Sequence, residues 1–238
     1  MSRRLALAAA AASTLAFTLI AVLALLRGGT LSSPAPGPEE PGPRLPVLLV
    51  PGWADEGDRL APLAHQLRTR GWGDTSVHLL RFDDPVDSNI RHSQEIREAV
   101  DTLRRRTGAE RVDIVAHSMG GLAARWYLQH GGASEVRRLV TLGSPHRGTL
   151  TSLAAWGDGG KEMKPESDFL AALDPGLPEG IEGLTIRTEL ETHIIPPESA
   201  TLPGVPDTVV CCAMHWTLPA DATTIEIILD FLLHGRAS

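Results

Sequence analysis

Cysteine, aromatic side chains and basic charge are scarce in this sequence. Its 238 residues include two cysteines, only 4% are aromatic, and the formal net charge is −7 at pH 7. Because nucleic acids and anionic membrane surfaces select basic patches, we expect neither as a partner. No internal repeat is visible. The hydrophobic content of 42% is enough for one substantial core, which predicts a single folded domain.

Residues 1–27 form a separate segment. The stretch from Leu5 to Leu26 carries no charge and is long enough to cross a bilayer as a helix. Arg3 and Arg4 precede it, so the positive-inside rule places the N-terminus in the cytoplasm and the rest of the chain outside. We interpret residues 1–27 as a signal peptide or membrane anchor, and we expect an extracytoplasmic protein that is secreted or tethered through residues 5–26.

A linker follows this segment. Residues 28–44 read GGTLSSPAPGPEEPGPR and are rich in proline and glycine. This composition favours an extended, disordered tether over a packed element. The folded domain is therefore predicted to span residues 45–238.

Short apolar runs alternate with helical patterns after the linker. The runs LPVLLV, RVDIVAH and VRRLVTLG are predicted to be buried strands, and a long amphipathic helix, SNIRHSQEIREAVDTLRRRTG, precedes the second of them. Strands separated by helices predict an α/β protein with a mostly parallel central sheet and helices on both faces. Ligands bind at the carboxyl ends of the strands in such sheets.

Ser118 lies between a predicted strand and a predicted helix in VDIVAHSMGGLAARWY. Residues Ala116 to Gly120 have the form small-x-Ser-x-Gly, which is typical of a nucleophile elbow. The small residues leave room for neighbouring backbone, and the serine is lifted above the sheet edge at the amino end of a helix. We therefore predict that Ser118 is a nucleophile; the alternative is a helix-capping serine in an ordinary turn.

A serine nucleophile needs a base to take its proton, and the base needs a carboxylate to orient it. After an elbow of this kind the chain order is serine, acid, histidine. His215 follows the predicted strand DTVVCCAM, which would bring it to the carboxyl edge; the alternative is a loop histidine without a catalytic role. His130 and His234 lie near predicted helix ends, where they would interact with the helix dipoles. His117 is expected to pack beside the nucleophile.

The acid has two candidates. Glu189 and Glu191 both lie where the strand in GLTIRTELETHIIPP ends, and either could reach His215 from the carboxyl edge. Asp207 begins the next strand at the opposite edge and should be out of reach. Position in the predicted sheet leaves the choice between the two glutamates open.

Five stretches together resemble the small bacterial lipases and esterases of the α/β-hydrolase fold, the triacylglycerol-lipase-like family. They are PVLLVPGW, VDIVAHSMGGLAARWY, TLGSPHRGT, ELETHIIPP and MHWTL, and they cover most of the chain from Leu45 onward. The resemblance implies a minimal α/β-hydrolase with little or no lid. It also implies hydrolysis of acyl esters or lipids through an acyl-enzyme on Ser118, with His215 as the base.

The resemblance also selects the acid. In relatives the acid strand resembles Asp-x-x-Val-x-Pro, and Glu191, Ile194 and Pro196 fall on that register whereas Glu189 does not. Glu191 is therefore the implied partner of His215. Glutamate stands here where relatives usually have aspartate.

The oxyanion loop departs from the relatives as well. They usually carry His-Gly, whereas this chain reads Pro51-Gly52-Trp53. The oxyanion hole is built from backbone N–H groups, and proline has none to give. The implied donors are therefore the backbone N–H groups of Trp53 and Met119. For the Trp53 side chain, packing at the surface and contact with substrate both remain open.

The predicted chemistry needs no metal and no cofactor, and no metal-ligand cluster stands out. His65, His78 and His92 are scattered along surface-type helix and strand positions. We therefore predict neither a metal site nor a bound cofactor.

Cys211 and Cys212 are adjacent on a predicted strand, so their side chains should point to opposite faces. Normal disulfide geometry is hard to reach between neighbours. We expect two small apolar strand residues, with a vicinal disulfide as the alternative in an oxidising compartment.

Substrate specificity is left open by these motifs. Residues 148–180 are where a lid would lie, but the segment is too short to predict a large mobile one. An acyltransferase or a thioesterase would use the same three residues as a lipase or esterase. A second hypothesis is a catalytically silent α/β-hydrolase domain that binds an acyl or protein ligand, which is favoured if Glu191 cannot reach His215.

Overall fold

The structure is a computed structural model that describes residues 44–235. The candidate membrane span at residues 5–26 and nearly all of the predicted linker lie outside the described residues. Within residues 44–235, no helix is both long enough and apolar enough to cross a membrane.

A six-stranded sheet forms the centre of the described residues. Its strands are β1 (Val47–Val50), β2 (Val77–Leu79), β3 (Val112–His117), β4 (Val136–Leu142), β5 (Glu182–Leu190) and β6 (Asp207–Met214). Their spatial order is β2-β1-β3-β4-β5-β6, and every neighbouring pair is parallel. The parallel sheet that the alternating pattern predicts is therefore confirmed, and all its strands end at the same edge.

Helices connect the strands. They are α1 (Ala61–Thr69), α2 (Asn89–Thr107), α3 (Gly120–Tyr127), α4 (Gly157–Glu162), α5 (Asp168–Ala172) and α6 (Ala222–His234). Ser88 caps the start of α2 by accepting a hydrogen bond from the Arg91 N–H, and Asp221 caps α6 in the same way. Both helices end at a glycine with left-handed backbone, Gly108 and Gly235. Glycine adopts this conformation without steric cost because it has no Cβ.

Strand β1 is buried on both faces of the sheet. Its residues Val47 and Leu49 pack with apolar side chains of α1 and α6, whereas Leu48 and Val50 pack with those of α2 and α3. Alternate side chains of a strand point to opposite faces, so a strand buried on both sides must be apolar throughout. Fully burying one leucine or valine contributes about 1.5–3 kcal/mol to stability.

The connection from β4 to β5 passes over the carboxyl edge of the sheet. It contains a 3-10 turn at Leu150–Ala154 and the short helices α4 and α5. The helix predicted in PESDFLAAL is α5. This connection includes residues 148–180, the segment in which a lid would lie.

The prediction for His92 is wrong. It lies on α2 but is fully buried, stacked on Phe82 with ring centroids 3.8 Å apart, and its Nε2 lies 2.8 Å from the Asp84 carbonyl oxygen. The helix is polar overall, but His92 and Ile96 are one turn apart on its buried face. A polar composition therefore concealed an inward-facing histidine.

The expectation for the two cysteines is also wrong. Cys211 and Cys212 form a disulfide with each other, and both residues are exposed. Cys212 has left-handed backbone (φ 75°), and the register between β5 and β6 shifts after Thr188. This irregularity interrupts the alternation of side chains along β6, which is why neighbouring sulfur atoms meet.

Candidate active site

Ser118 occupies a sharp turn between β3 and α3. Its backbone is left-handed (φ 52°), and its N–H donates a hydrogen bond to the Leu142 carbonyl at 2.8 Å. A Cβ on Gly120 would lie 2.3 Å from the Pro51 carbonyl oxygen, and one on Gly121 would lie 2.2 Å from Ser144 Oγ. Only glycine fits at either position, and the small-x-Ser-x-Gly pattern predicts this for Gly120.

Ser118, His215 and Glu191 form a chain of hydrogen bonds. His215 Nε2 lies 3.0 Å from Ser118 Oγ, and His215 Nδ1 lies 3.0 Å from Glu191 Oε2. The carboxylate accepts only, so Nδ1–H donates to Glu191 and Nε2 accepts from the Ser118 hydroxyl. The imidazole side chain is 1% exposed and that of Glu191 is 0% exposed, so the three groups interact away from bulk water.

Glu191 has a second set of partners. Its Oε1 accepts hydrogen bonds from the backbone N–H groups of His193 at 2.8 Å and Ile194 at 3.1 Å. Burial acts to raise the pKa of Glu191, but His215 and these two N–H groups together outweigh burial and lower the pKa below its ordinary value. Glu191 is therefore an ionised carboxylate at neutral pH.

The other acidic candidates lie elsewhere. Glu189 is exposed, whereas Glu191 reaches His215 from the loop that follows β5. Asp207 lies at the amino end of β6, where it accepts hydrogen bonds from Arg187 and Thr185. The structure thus brings together Ser118, Glu191 and His215 and leaves Asp207 at the far edge, as its position in the sequence predicts.

His117 lies beneath His215. Its Nε2–H donates to the backbone carbonyl of His215 at 3.1 Å, and the two rings are 4.9 Å apart between centroids. Burial, reinforced by the charge of the neighbouring His215, lowers the pKa of His117 well below its ordinary value, so His117 is neutral. Its place beside Ser118 agrees with the prediction from the sequence.

His193 is a site residue that the sequence did not reveal. Its ring stacks on that of His215 with centroids 5.1 Å apart and meets the edge of Trp216 at 4.0 Å. Burial and, secondarily, His215 lower the pKa of His193 below its ordinary value. Its position in the sequence was a signal for a place in the site. A residue two positions after Glu191 is well placed to donate its backbone N–H to the Glu191 carboxylate.

The two implied oxyanion donors are unpaired within the part of the chain that the structure describes. Among residues 44–235, neither Trp53 N–H nor Met119 N–H donates to a protein acceptor. Gly52 lies against the elbow, since a Cβ there would be 2.9 Å from the Ser118 Cβ. Backbone N–H groups without a protein acceptor next to a buried serine could bind the negative charge that develops on a substrate oxygen.

A cavity of about 380 Å³ opens onto Ser118 and His215. Its walls combine apolar side chains with a few hydroxyls, which is typical of small-molecule sites. The lining residues are Trp53, Ser118, Thr149, Thr151, Ser152, Ala154, Ala155, Trp156, Met163, Thr192, His193, Ile194, His215 and Trp216. Within residues 44–235, no group of three or more histidine, cysteine or acidic side chains is placed to hold a metal ion.

Solved structures share this architecture. A lipase of Bacillus licheniformis, BlEst2 in its mature form, superposes with a TM-score of 0.68 at 15% identity, covering 84% of this chain and 95% of its own. Lipase B of Aspergillus fumigatus superposes with 0.68 at 17% identity, covering 79% of this chain and 52% of its own. The product of gene lin2722 of Listeria innocua gives 0.62 at 19% identity, covering 80% and 94%. These likenesses show the fold, and the predicted α/β-hydrolase fold is confirmed.

A family model also matches the chain. The model for palmitoyl protein thioesterases matches residues 46–174, which include β1, the elbow and helix α5. Together with the fold, this match supports a hydrolase of esters in the broad sense that includes thioesters. Because the match covers more than half of the sequence, the chain belongs to the palmitoyl protein thioesterase family.

Proposed function

We propose that this protein is a serine hydrolase that cleaves fatty acyl esters or thioesters through an acyl-enzyme. One observation carries the proposal: the His215 ring bridges Ser118 Oγ and Glu191 Oε2, with 3.0 Å on each side. Both distances are within hydrogen-bonding range. A general base needs such a bond to the nucleophile, and it needs a second one to the group that orients it. The contact with Glu191 also weakens the hypothesis of a catalytically silent domain, which would be favoured if Glu191 could not reach His215.

Acylation begins at Ser118. Its Oγ attacks the acyl carbonyl carbon while His215 Nε2 takes the hydroxyl proton, and Glu191 stabilises the resulting imidazolium. The negative charge that develops on the carbonyl oxygen is met by the N–H groups of Trp53 and Met119. When the tetrahedral intermediate collapses, the bond to the leaving oxygen or sulfur breaks, and His215 returns the proton to that alcohol or thiol.

Deacylation repeats these steps with water. His215 takes a proton from a water molecule, the hydroxide attacks the acyl carbon, and the bond to Ser118 Oγ breaks as the proton passes to the serine. The free acid leaves and the starting arrangement returns. No metal or cofactor takes part in either half of this cycle.

The cavity favours an apolar acyl group. Trp53, Trp156 and Trp216 contribute to its walls together with Met163 and Ile194. The family is named for enzymes that release palmitoyl groups from proteins, which makes a long-chain thioester one candidate substrate. Oxygen esters are equally compatible with the three residues, so the leaving atom has to be determined by experiment.

The direct test uses the purified full-length protein with three substrates: p-nitrophenyl butyrate, p-nitrophenyl palmitate and palmitoyl-CoA. We expect turnover of at least one of them, and Ser118→Ala should abolish it while leaving the melting temperature within a few degrees of the parent. Preference for palmitoyl-CoA would indicate a thioesterase, and preference for one p-nitrophenyl ester would indicate an esterase or lipase. Absence of turnover on all three contradicts the proposal.

We also propose that the domain acts outside the cytoplasm, secreted or tethered through residues 5–26. The uncharged stretch after Arg3 and Arg4 supports this location, as does the disulfide between Cys211 and Cys212, since disulfides persist in oxidising compartments. Protease digestion of intact cells should degrade the tethered protein. Protection of the domain in cells stripped of any outer membrane, until the cytoplasmic membrane is broken, would contradict this location.

A further inference from the structure

The two proposed oxyanion donors are supported by one short segment, residues 155–160. Met119 belongs to a small hydrophobic cluster separate from the two main cores, and Trp53 and Ala155 pack against that cluster. Residues 155–160 follow the 3-10 turn at Leu150–Ala154 and include most of α4. Side chains of both donor residues therefore contact the same part of the β4–β5 connection.

Hydrogen bonds from the Trp53 side chain and from the backbone of the next residue fix the position of Trp53. Its indole Nε1–H donates to the Trp156 carbonyl at 3.0 Å, and the two rings meet edge to face with centroids 4.3 Å apart. The next residue, Ala54, has left-handed backbone (φ 52°), and its N–H donates to the Pro85 carbonyl at 3.0 Å. The Trp53 side chain thus connects the oxyanion loop to residues 155–160.

Met119 is held from above by a glycine. A Cβ on Gly159 would lie 2.7 Å from Met119 Sδ and 2.6 Å from the Asp87 carbonyl oxygen. The buried thioether therefore occupies the space that any side chain at position 159 would need. Because Met119 follows Ser118 directly, displacing its side chain would also move the backbone N–H that we propose as an oxyanion donor.

Residues 85–87 tie these parts together. The Val86 carbonyl accepts a hydrogen bond from the Gly159 N–H at 3.1 Å, next to the Pro85 carbonyl that holds Ala54. Gly157 has left-handed backbone (φ 75°), and a Cβ there would lie 2.3 Å from the same Val86 oxygen. Three loops, at residues 52–54, 85–87 and 155–160, consequently form one connected structure above the elbow.

We propose that residues 155–160 are a positioning element for the oxyanion hole, in which the Trp156 carbonyl orients Trp53 and Gly159 seats Met119. This role rests on the proposed hydrolase function. The elbow alone fixes only one donor, because Trp53 lies on a separate loop. Oxyanion donors stabilise the transition state because they are already in position before the reaction. A segment that fixes the positions of both donor loops therefore helps to stabilise the transition state without touching the reacting atoms.

Two variants test this role in the full-length protein. Trp53→Phe keeps an aromatic ring and the backbone N–H but removes the indole N–H, and Gly159→Ala displaces Met119. Leu153→Ala is the matched control, because Leu153 lies in the adjoining turn, is 74% exposed and does not line the cavity. For each protein we would measure kcat and KM with the substrate that the parent turns over fastest among p-nitrophenyl butyrate, p-nitrophenyl palmitate and palmitoyl-CoA, inhibition by an aryl trifluoromethyl ketone, and the melting temperature.

We expect kcat to fall about 10- to 100-fold in Trp53→Phe and Gly159→Ala, with KM changing by less than about threefold. The ketone forms a hemiketal whose oxyanion occupies the same hole, so its inhibition constant should rise by the factor by which kcat/KM falls. Leu153→Ala should match the parent in all three measurements. If Gly159→Ala fails to fold, Trp53→Phe alone decides the outcome.

Two results would overturn the positioning role while leaving the hydrolase intact. In the first, the parent is active and Trp53→Phe retains its kcat within about twofold. In the second, kcat falls but ketone affinity does not, which indicates a general structural effect. A parent that turns over none of p-nitrophenyl butyrate, p-nitrophenyl palmitate and palmitoyl-CoA and binds no ketone instead contradicts the proposed function, and the positioning role with it.

Discussion

Gly143 lies so close to His215 that a methyl group on the glycine would be 3.0 Å from His215 Nδ1. The same methyl group would be 3.3 Å from Glu191 Oε2, and Gly143 also has left-handed backbone (φ 54°). Gly143 directly follows β4, so the end of this strand lies against the hydrogen bond between His215 and Glu191. The absence of a side chain at this position lets that bond form.

Gly143→Ala is therefore expected to lower kcat about 10- to 100-fold, because the added carbon separates His215 from Glu191. Gly204→Ala is the matched control: Gly204 has a similar left-handed backbone (φ 74°), but a Cβ there meets no atom within 4 Å. Both changes should cost about 1–2 kcal/mol of stability from backbone strain alone. Equal activity of the two variants in a p-nitrophenyl butyrate assay would contradict this role.

Glu191→Gln should lower kcat by about 10³- to 10⁴-fold, because an amide neither stabilises the imidazolium nor fixes the tautomer that keeps Nε2 free to accept the serine proton. Glu189→Gln is the control and should retain the parental rate, since Glu189 is exposed. Steady-state kinetics at neutral pH compare them. The reverse order of effects would identify Glu189 as the acid.

The depressed pKa of Glu191 predicts how stability depends on pH. A carboxyl whose pKa is lower in the folded state stabilises the fold above its unfolded pKa of about 4.3, and this contribution is lost as the pH falls through the lower folded value. The free energy of unfolding, measured by urea denaturation, should therefore fall more steeply in the parent than in Glu191→Gln below about pH 4.3. Parallel curves would show that the pKa of Glu191 is not depressed.

The vicinal disulfide predicts the reactivity of the two cysteines. After denaturation without reductant, protein recovered from its proposed location outside the cytoplasm should bind no maleimide, and after reduction it should bind at both Cys211 and Cys212. Intact mass spectrometry distinguishes these states. Labelling of both cysteines without reduction would show that they are free thiols, as their adjacency on a strand first suggested.

The strand, turn and helix around Ser118 could be predicted from the sequence because their signals are local. The apolar run of β3, the small residues of the elbow and the helix that follows all lie within one short stretch. His215 was also accessible, because chain order and the end of a predicted strand both indicate it. Glu191 needed the resemblance to relatives, since Glu189 is equally close to the end of the strand.

Other features depend on contacts between distant parts of the chain. His193 belongs to the site because its loop places it on His215, and Gly143 belongs to it because β4 ends beneath the base. The disulfide follows from a local irregularity in β6 that strand periodicity cannot indicate. The contact between Trp53 and Trp156 joins residues 103 positions apart. The contacts of Gly143 and of Trp53 have no signature in a short stretch of sequence, because their partners lie far along the chain.

The most direct test of the central claim is to label the protein with a fluorophosphonate probe and locate the modified residue by tandem mass spectrometry. If Ser118 is a nucleophile activated by His215, the probe should modify Ser118 alone, and His215→Asn should abolish labelling without unfolding the protein. An unmodified Ser118 in a folded, unmutated protein would contradict the hydrolase and leave a binding domain on the same fold.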